Sequence, residues 1–134
     1  MKRIVSIIMC LVLFAAAIPV VSASDGNGVY SYEIDGVEYT VEFADDDISP
    51  DKMEMIAETL VGLRDGSAQT YGLGCTLFGH DYVTKTVSVT QHKVSASVPR
   101  CLKRTYDVTY CEDCDYTKSQ VLVSSVYINC CPAD

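Results

Sequence analysis

Hydrophobic and polar residues alternate most regularly in the segment from Tyr30 to Phe43. Apolar side chains occupy every second position in two runs: Tyr30, Tyr32 and Ile34, then Val37, Tyr39, Val41 and Phe43. Asp35-Gly36 separates the runs, and this dipeptide is typical of a two-residue turn in which both residues have positive φ. Such a turn puts three apolar pairs on one sheet face: Ile34–Val37, Tyr32–Tyr39 and Tyr30–Val41. The pattern predicts a β-hairpin.

Apolar residues follow helical spacing after the hairpin. One face of the predicted helix carries Met53, Ile56, Ala57 and Leu60. Ser49 suits the N-cap, Pro50 the first helical position and Asp51 the first turn. Gly62 or Gly66 is expected to end the helix. We expect the apolar face to pack on the hairpin.

The second half of the chain has the composition of β-strands. The stretch from Arg64 to Gly74 contains three glycines among small and polar residues, and we interpret it as a linker. Three segments rich in β-branched residues and tyrosine follow it: Tyr82–Val89, Arg104–Tyr110 and Gln120–Ile128. Cys111–Cys114 is expected to form the turn between the last two strands.

The first residues have the organisation of a secretory signal peptide. Lys2 and Arg3 precede an uncharged run from Ile4 to Ile18, and small residues precede Ser24 at the expected cleavage positions. The apolar run is shorter than the ~20 residues of a spanning helix, which argues against a membrane anchor. We therefore predict a signal peptide at 1–23, a ββα unit at 24–66 and a Cys/His-rich β module at 67–134.

Charge narrows the possible partners. The formal net charge is −8, and cleavage would remove two basic residues and no acidic ones. A polyanion repels nucleic acids and anionic membrane surfaces. We expect a secreted, extracellular protein of roughly 110 residues, the size of one small domain. Its expected partner is an unidentified protein or cell-surface component, with no nucleic acid and no membrane after cleavage.

Cysteine and histidine carry the chemistry that the sequence suggests. Apart from Cys10 in the leader, every cysteine and both histidines lie in the second half. A Cys-x2-Cys pair at a hairpin tip, here Cys111 and Cys114, can direct two thiolates at one tetrahedral metal ion. The remaining ligands would come from four candidates: Cys75, His80, His92 and Cys101.

Part of this pattern resembles a short repeat of bacterial secreted and cell-wall proteins. The resemblance spans about residues 79–123 and is carried by Gly79-His80-Asp81-Tyr82, Pro99-Arg100-Cys101, and Tyr110-Cys111-x2-Cys114-Asp115-Tyr116-Thr117. In those repeats Gly-His precedes a lone Cys, and Tyr-x-Cys-x-x-Cys follows after a short hairpin. The resemblance implies a structural zinc site formed by His80, Cys101, Cys111 and Cys114. His92 is an alternative to His80, although its polar neighbours favour a surface position.

Disulfide bonds are the alternative use of the cysteines. Small secreted domains often depend on disulfides, and six cysteines can pair completely. Adjacent Cys130 and Cys131 would each reach a distant partner, and Cys75 is the natural candidate for one of them. A mixture of one metal site and one such bridge is also possible.

No pattern indicates catalysis. Cys75 and His80 lie on a loop without fixed geometry, and Cys111-x2-Cys114 lies between strands rather than at a helix start. We therefore expect no catalytic residues and no enzyme. The sequence predicts an α+β fold: an N-terminal β-hairpin plus helix, then a small antiparallel sheet, zinc-ribbon-like or disulfide-stapled. The expected function is a secreted, non-enzymatic binding or structural module, and the alternative is a disulfide-stapled effector or toxin-like protein that binds a surface partner.

Overall fold

A computed structural model describes residues 28–64 and 73–132. The predicted signal peptide and most of the predicted linker lie outside the described residues. The elements follow one another as β1 (Val29–Ile34), β2 (Val37–Phe43), α1 (Pro50–Leu60), α2 (Leu73–Phe78), β3 (Tyr82–Gln91), β4 (Cys101–Cys111) and β5 (Thr117–Ile128).

The five strands form one antiparallel sheet in the order β1-β2-β3-β4-β5. Each strand therefore pairs with its neighbours in sequence, and the described part of the chain is mostly sheet with two helices. β2 pairs with β3 from Tyr39–Gln91 to Phe43–Val87. The hairpin and the Cys/His-rich half, which we predicted as two units, thus share a continuous sheet.

The β1–β2 hairpin has the register that its alternation predicts. Ile34 pairs with Val37, Tyr32 with Tyr39 and Tyr30 with Val41. Asp35 and Gly36 have φ of 53° and 77°, the positive values that a type I′ turn needs. Glycine adopts this conformation without the Cβ clash that other residues meet, so the Asp-Gly dipeptide sets the register.

Helix α1 begins at Pro50 and ends before a glycine. Ser49 occupies the N-cap position, although its side chain makes no capping hydrogen bond. At the other end Gly62 has a φ of 81°. Leu63 N–H donates to Glu58 O at 2.9 Å and Gly62 N–H to Thr59 O at 3.2 Å. These two bonds form a Schellman motif, which satisfies the last carbonyls of the helix.

The main core lies between α1 and one face of the sheet. The sheet contributes Tyr30, Tyr32, Val41, Val87, Val89, Val108 and Tyr110, and the helical side contributes Ile48, Met53, Met55, Ile56 and Ala57. Burial of this apolar surface fixes α1 against the sheet. The same packing brings Lys52 on α1 close to the end of β4.

Strand β5 contrasts with this core because most of its side chains are exposed. It is an edge strand, and five large apolar residues are at least half exposed: Val121, Leu122, Val123, Val126 and Tyr127. Unpaired edge strands of this kind can pair with another chain. Among residues 28–64 and 73–132, no helix is long and apolar enough to cross a membrane.

One buried polar group allows a test of the packing. Tyr32 is 1% exposed, and its hydroxyl has no hydrogen-bond partner among the described residues. Burial, with a smaller effect of Glu58, raises the pKa of this phenol well above its usual range. Tyr32→Phe should therefore leave the free energy of unfolding unchanged or raise it by about 1 kcal/mol.

Tyr30→Phe is the matched control for this change. The Tyr30 hydroxyl donates to Pro50 O at 3.3 Å, so its removal should cost about 1 kcal/mol. Urea unfolding of both variants measures the difference. A loss of stability in Tyr32→Phe equal to that in Tyr30→Phe would contradict the description of the Tyr32 hydroxyl.

Candidate metal centres

Two groups of cysteine and histidine side chains lie at opposite ends of the β3–β4 pair. The first cluster consists of Cys75, His80, Cys111 and Cys114, and the second of His92, Cys101, Cys130 and Cys131. In each group the possible ligand atoms all lie within 4.8 Å of one another. Each group offers three sulfurs and one imidazole nitrogen, and each could hold a metal ion.

Four separate segments build the first cluster. Cys75 lies on α2, and His80 lies in the connection from α2 to β3. Cys111 is the last residue of β4, and Cys114 lies in the turn that leads to β5. Tyr82 pairs with Cys111 across the sheet, so the register of β3 and β4 brings His80 to the end of β4.

The distances in the first cluster fit a tetrahedral metal centre. Cys75 Sγ lies 3.5 Å from Cys111 Sγ, and Cys114 Sγ lies 3.3 Å from His80 Nδ1. Ligands at zinc–sulfur and zinc–nitrogen bond lengths would be separated by about 3.5–3.8 Å along the edges of a tetrahedron. The three cysteines are buried, so their sulfurs are shielded from water. The donor set and the spacing both fit an ion of this class.

Aromatic side chains hold the His80 ring. The ring stacks on Tyr116 at a centroid distance of 4.7 Å and on Tyr82 at 5.4 Å, with interplanar angles of 26° and 29°. Stacking on both tyrosines restricts the orientation of the imidazole. It thereby keeps Nδ1 directed at the sulfur of Cys114.

Lys52 fixes the turn that carries two of the thiols. Its ammonium donates to Cys111 O at 3.0 Å and also to Cys114 O. The Lys52 side chain is 11% exposed and lies 3.9 Å from Asp115. Lys52 thus connects α1 to both ends of the Cys111–Cys114 turn.

The thiols of Cys111 and Cys75 in the first cluster differ in pKa. Burial acts to raise the pKa of the Cys111 thiol, but hydrogen bonds from His80, the Asp113 backbone and neighbouring thiols outweigh it and lower the pKa to about 6. Burial, followed by hydrogen bonds to Cys114 and Cys111, raises the pKa of the Cys75 thiol to about 12. The cluster therefore stabilises one thiolate at Cys111 and keeps a proton on Cys75. A divalent cation would favour the thiolate form of every ligand.

The second cluster lies where β3 ends, β4 begins and the chain leaves β5. His92 Nδ1 lies 3.1 Å from Cys130 Sγ, 3.5 Å from Cys131 Sγ and 3.9 Å from Cys101 Sγ. The sulfurs of Cys130 and Cys131 are 3.7 Å apart. Cys101 and Cys130 form a disulfide in this structure, and Cys131 is a free thiol.

The structure brings together three of the four predicted ligands. His80, Cys111 and Cys114 meet in the first cluster, whereas Cys101 belongs to the second. Cys101 and Cys111 are the two ends of β4, so a strand rise of about 3.4 Å per residue separates them by roughly 30 Å. That separation is too large for one ion, and Cys75 supplies the fourth side chain instead.

Other expectations for the thiols change as well. The suggested bridge from Cys75 to Cys130 or Cys131 is wrong, because Cys130 bonds Cys101 and Cys75 is a free, buried thiol at the other end of the sheet. His92, which we expected at the surface, is partly buried and lies against the sulfurs of the second cluster.

Comparisons with protein-family models, curated proteins and solved structures find no match.

Lysine substitutions test whether α1 holds the Cys111–Cys114 turn. Lys52→Met keeps most of the aliphatic stem but leaves two carbonyls without their cation, so it should lower the free energy of unfolding by about 2–3 kcal/mol. Lys103→Met is the matched control, because Lys103 makes an exposed ion pair with Glu42 at 3.2 Å. It should cost at most about 1 kcal/mol in the same urea titration. Equal losses would contradict the role of Lys52.

Proposed function

We propose that this protein is a small exported module, without enzymatic activity, whose second half is held together by a structural zinc ion in the first cluster. The observation that supports this proposal is the convergence of Cys75, His80, Cys111 and Cys114 from four segments onto a tetrahedral spacing. A metal ion there would join α2, the start of β3, the end of β4 and the turn before β5.

The donor set supports zinc among the divalent cations. Three thiolates and one imidazole form one of the usual structural zinc sets, and tetrahedral S/N coordination suits an ion without a geometric preference of its own. The harder cations magnesium and calcium prefer oxygen ligands. The first cluster includes no carboxylate among its four possible ligands.

The same arrangement supports a structural role over a catalytic one. Four protein ligands leave no open coordination position for water or substrate. Cys75, Cys111 and Cys114 are also buried, which excludes them as accessible nucleophiles. The resemblance of residues 79–123 to a repeat of bacterial secreted and cell-wall proteins fits a module of this kind.

The exposed edge supports a binding role for the module. Strand β5 carries exposed apolar side chains, including Val121, Val123 and Tyr127, beside an unpaired backbone edge. Such an edge can accept an extended segment of a partner as an additional strand. We propose an extracellular protein or a cell-surface component as that partner, while the metal keeps the fold rigid.

One observation favours the second candidate function, a disulfide-stapled secreted effector. Cys101 and Cys130 are bonded in this structure, which joins the start of β4 to the tail after β5. Disulfides of this kind persist in secreted proteins because the extracellular environment is oxidising. Both candidates describe an exported binding protein, and they differ in whether a metal ion stabilises the first cluster.

Removal of the metal tests the proposed function. A chelator should strip zinc from the purified protein and abolish hydrogen-exchange protection at the amides of Cys111 and Glu112, which donate to Tyr116 O and Asp81 O. The central amides of the β1–β2 hairpin should retain most of their protection. Amide exchange followed by mass spectrometry measures both regions in one sample.

A matched pair of variants completes this test. Cys75→Ser should give the same loss of protection without chelator, whereas Thr76→Ser, at the adjacent exposed position of α2, should behave like the native protein. Unchanged protection at Cys111 and Glu112 after zinc removal would refute a structural metal in the first cluster.

A further inference from the structure

The second cluster has the supporting contacts of a built site. His92 follows the end of β3, and its backbone N–H donates to Glu38 O at 2.8 Å. This bond fixes the residue just after the end of β3, beside the start of β4. The imidazole then directs Nδ1 at the sulfurs of Cys130 and Cys131.

Thr40 holds the opposite nitrogen of the same ring. Thr40 Oγ1 lies 2.8 Å from His92 Nε2. When Nε2 carries the proton and donates to this hydroxyl, Nδ1 keeps its lone pair for a cation. Metal-binding histidines in proteins are usually oriented in this way, by a hydrogen bond from the nitrogen that does not bind the metal.

Arg100 brings the C-terminal tail onto the cluster. Its side chain is almost fully buried, with the residue 6% exposed. Nη1 donates to Pro132 O at 2.8 Å and Nε to Ser95 O at 3.1 Å. The guanidinium therefore anchors the tail one residue beyond Cys131.

Disulfide formation and metal binding compete for the same two sulfurs. A disulfide between Cys101 and Cys130 leaves His92 and the Cys131 thiol as the only strong ligands among the four. Cys130 is exposed, so a reductant can reach one sulfur of the bond, whereas the sulfurs of the first cluster are buried. The two clusters therefore differ in their access to redox partners.

We propose that the second cluster is a redox-gated binding site for a soft divalent cation of the zinc class. In the disulfide form seen here the site does not bind the ion tightly. In the reduced form His92, Cys101, Cys130 and Cys131 bind one ion through three thiolates and one neutral imidazole. This assignment is independent of the metal proposed for the first cluster.

The redox step balances with a small dithiol as the reductant. The dithiol gives two electrons and two protons to the Cys101–Cys130 bond, which becomes two thiols in the protein. The dithiol is itself oxidised to a disulfide. Binding of the cation then releases three protons, from Cys101, Cys130 and Cys131. In reverse, a small disulfide takes two electrons from Cys101 and Cys130, and the cation leaves as three protons are taken up: one on Cys131 and two on the reduced small molecule.

Metal counting by native mass spectrometry tests the proposal. Zinc alone is the probe, added to the purified protein before and after treatment with a dithiol and removal of the reagent. The reduced protein should hold one more ion than the disulfide form, which should be two protons lighter in its polypeptide mass. Cobalt substitution should add the absorption of a second tetrahedral thiolate site in the reduced protein only.

Two cysteine variants separate the two sites. Cys131→Ser should remove the ion that appears on reduction and leave the ion of the first cluster, and Cys75→Ser should do the opposite. If reduction adds no ion and Cys131→Ser changes nothing, the redox-gated site is refuted while the first cluster stands. If Cys75→Ser retains every ion that the native protein binds, the proposed function fails while the second site stands.

Thr40→Val tests the second site without altering a ligand. Loss of the hydrogen bond to His92 should weaken zinc binding by the reduced second cluster by about 10-fold or more. Thr84→Val is the control, because the Thr84 hydroxyl bonds the Thr109 hydroxyl, at 2.8 Å and away from the second cluster, and its loss should leave the affinity unchanged. An affinity unaffected by Thr40→Val in a competition titration would contradict binding through His92 Nδ1.

Discussion

The register of β3 against β4 is the constraint on which both clusters depend. Tyr82 lies opposite Cys111 and Gln91 opposite Leu102, so the two strands are paired along almost their whole length. His80 precedes one end of this pair and His92 follows the other. A strand pair of this length keeps the two groups of cysteines and histidines too far apart to share a ligand. This separation does not depend on the conformation of the connecting loops.

A buried or nearly buried cation supports each group from outside the ligand set. Lys52 donates to the carbonyls of Cys111 and Cys114, and Arg100 donates to the carbonyls of Ser95 and Pro132. Each cation thus holds two main-chain carbonyls in place beside its cluster. Three thiolates around a divalent ion carry one net negative charge, so these cations also offset charge in an acidic protein.

Local patterns predicted the elements better than the site. The Asp35-Gly36 turn, the hairpin register and the helix from Pro50 follow from interactions within a few residues, which sequence spacing reports directly. Strand β4, by contrast, begins three residues before the predicted Arg104. That difference hid the fact that Cys101 and Cys111 occupy opposite strand ends. With the full strand recognised, a shared ion would have been excluded from sequence.

The remaining differences concern contacts between distant segments. Cys75 lies on α2, a short helix whose first two residues belong to the stretch that we interpreted as a linker, and nothing local indicates that it reaches Cys111. His92 has polar neighbours in sequence, but its environment is set by Thr40 on β2 and by cysteines almost forty residues later. Such contacts arise from the order of strands in the sheet, which the alternation of side chains does not determine.

X-ray absorption at the zinc edge, on protein purified with its metal, tests most directly whether three thiolates and one imidazole bind zinc in this protein. The account predicts a four-coordinate first shell of three sulfurs at about 2.3 Å and one imidazole nitrogen at about 2.0 Å. Because both clusters offer three sulfurs and one nitrogen, that ratio holds whether one or both are filled. A shell of oxygen or nitrogen without sulfur, or protein that binds no zinc when its thiols are reduced, would contradict it.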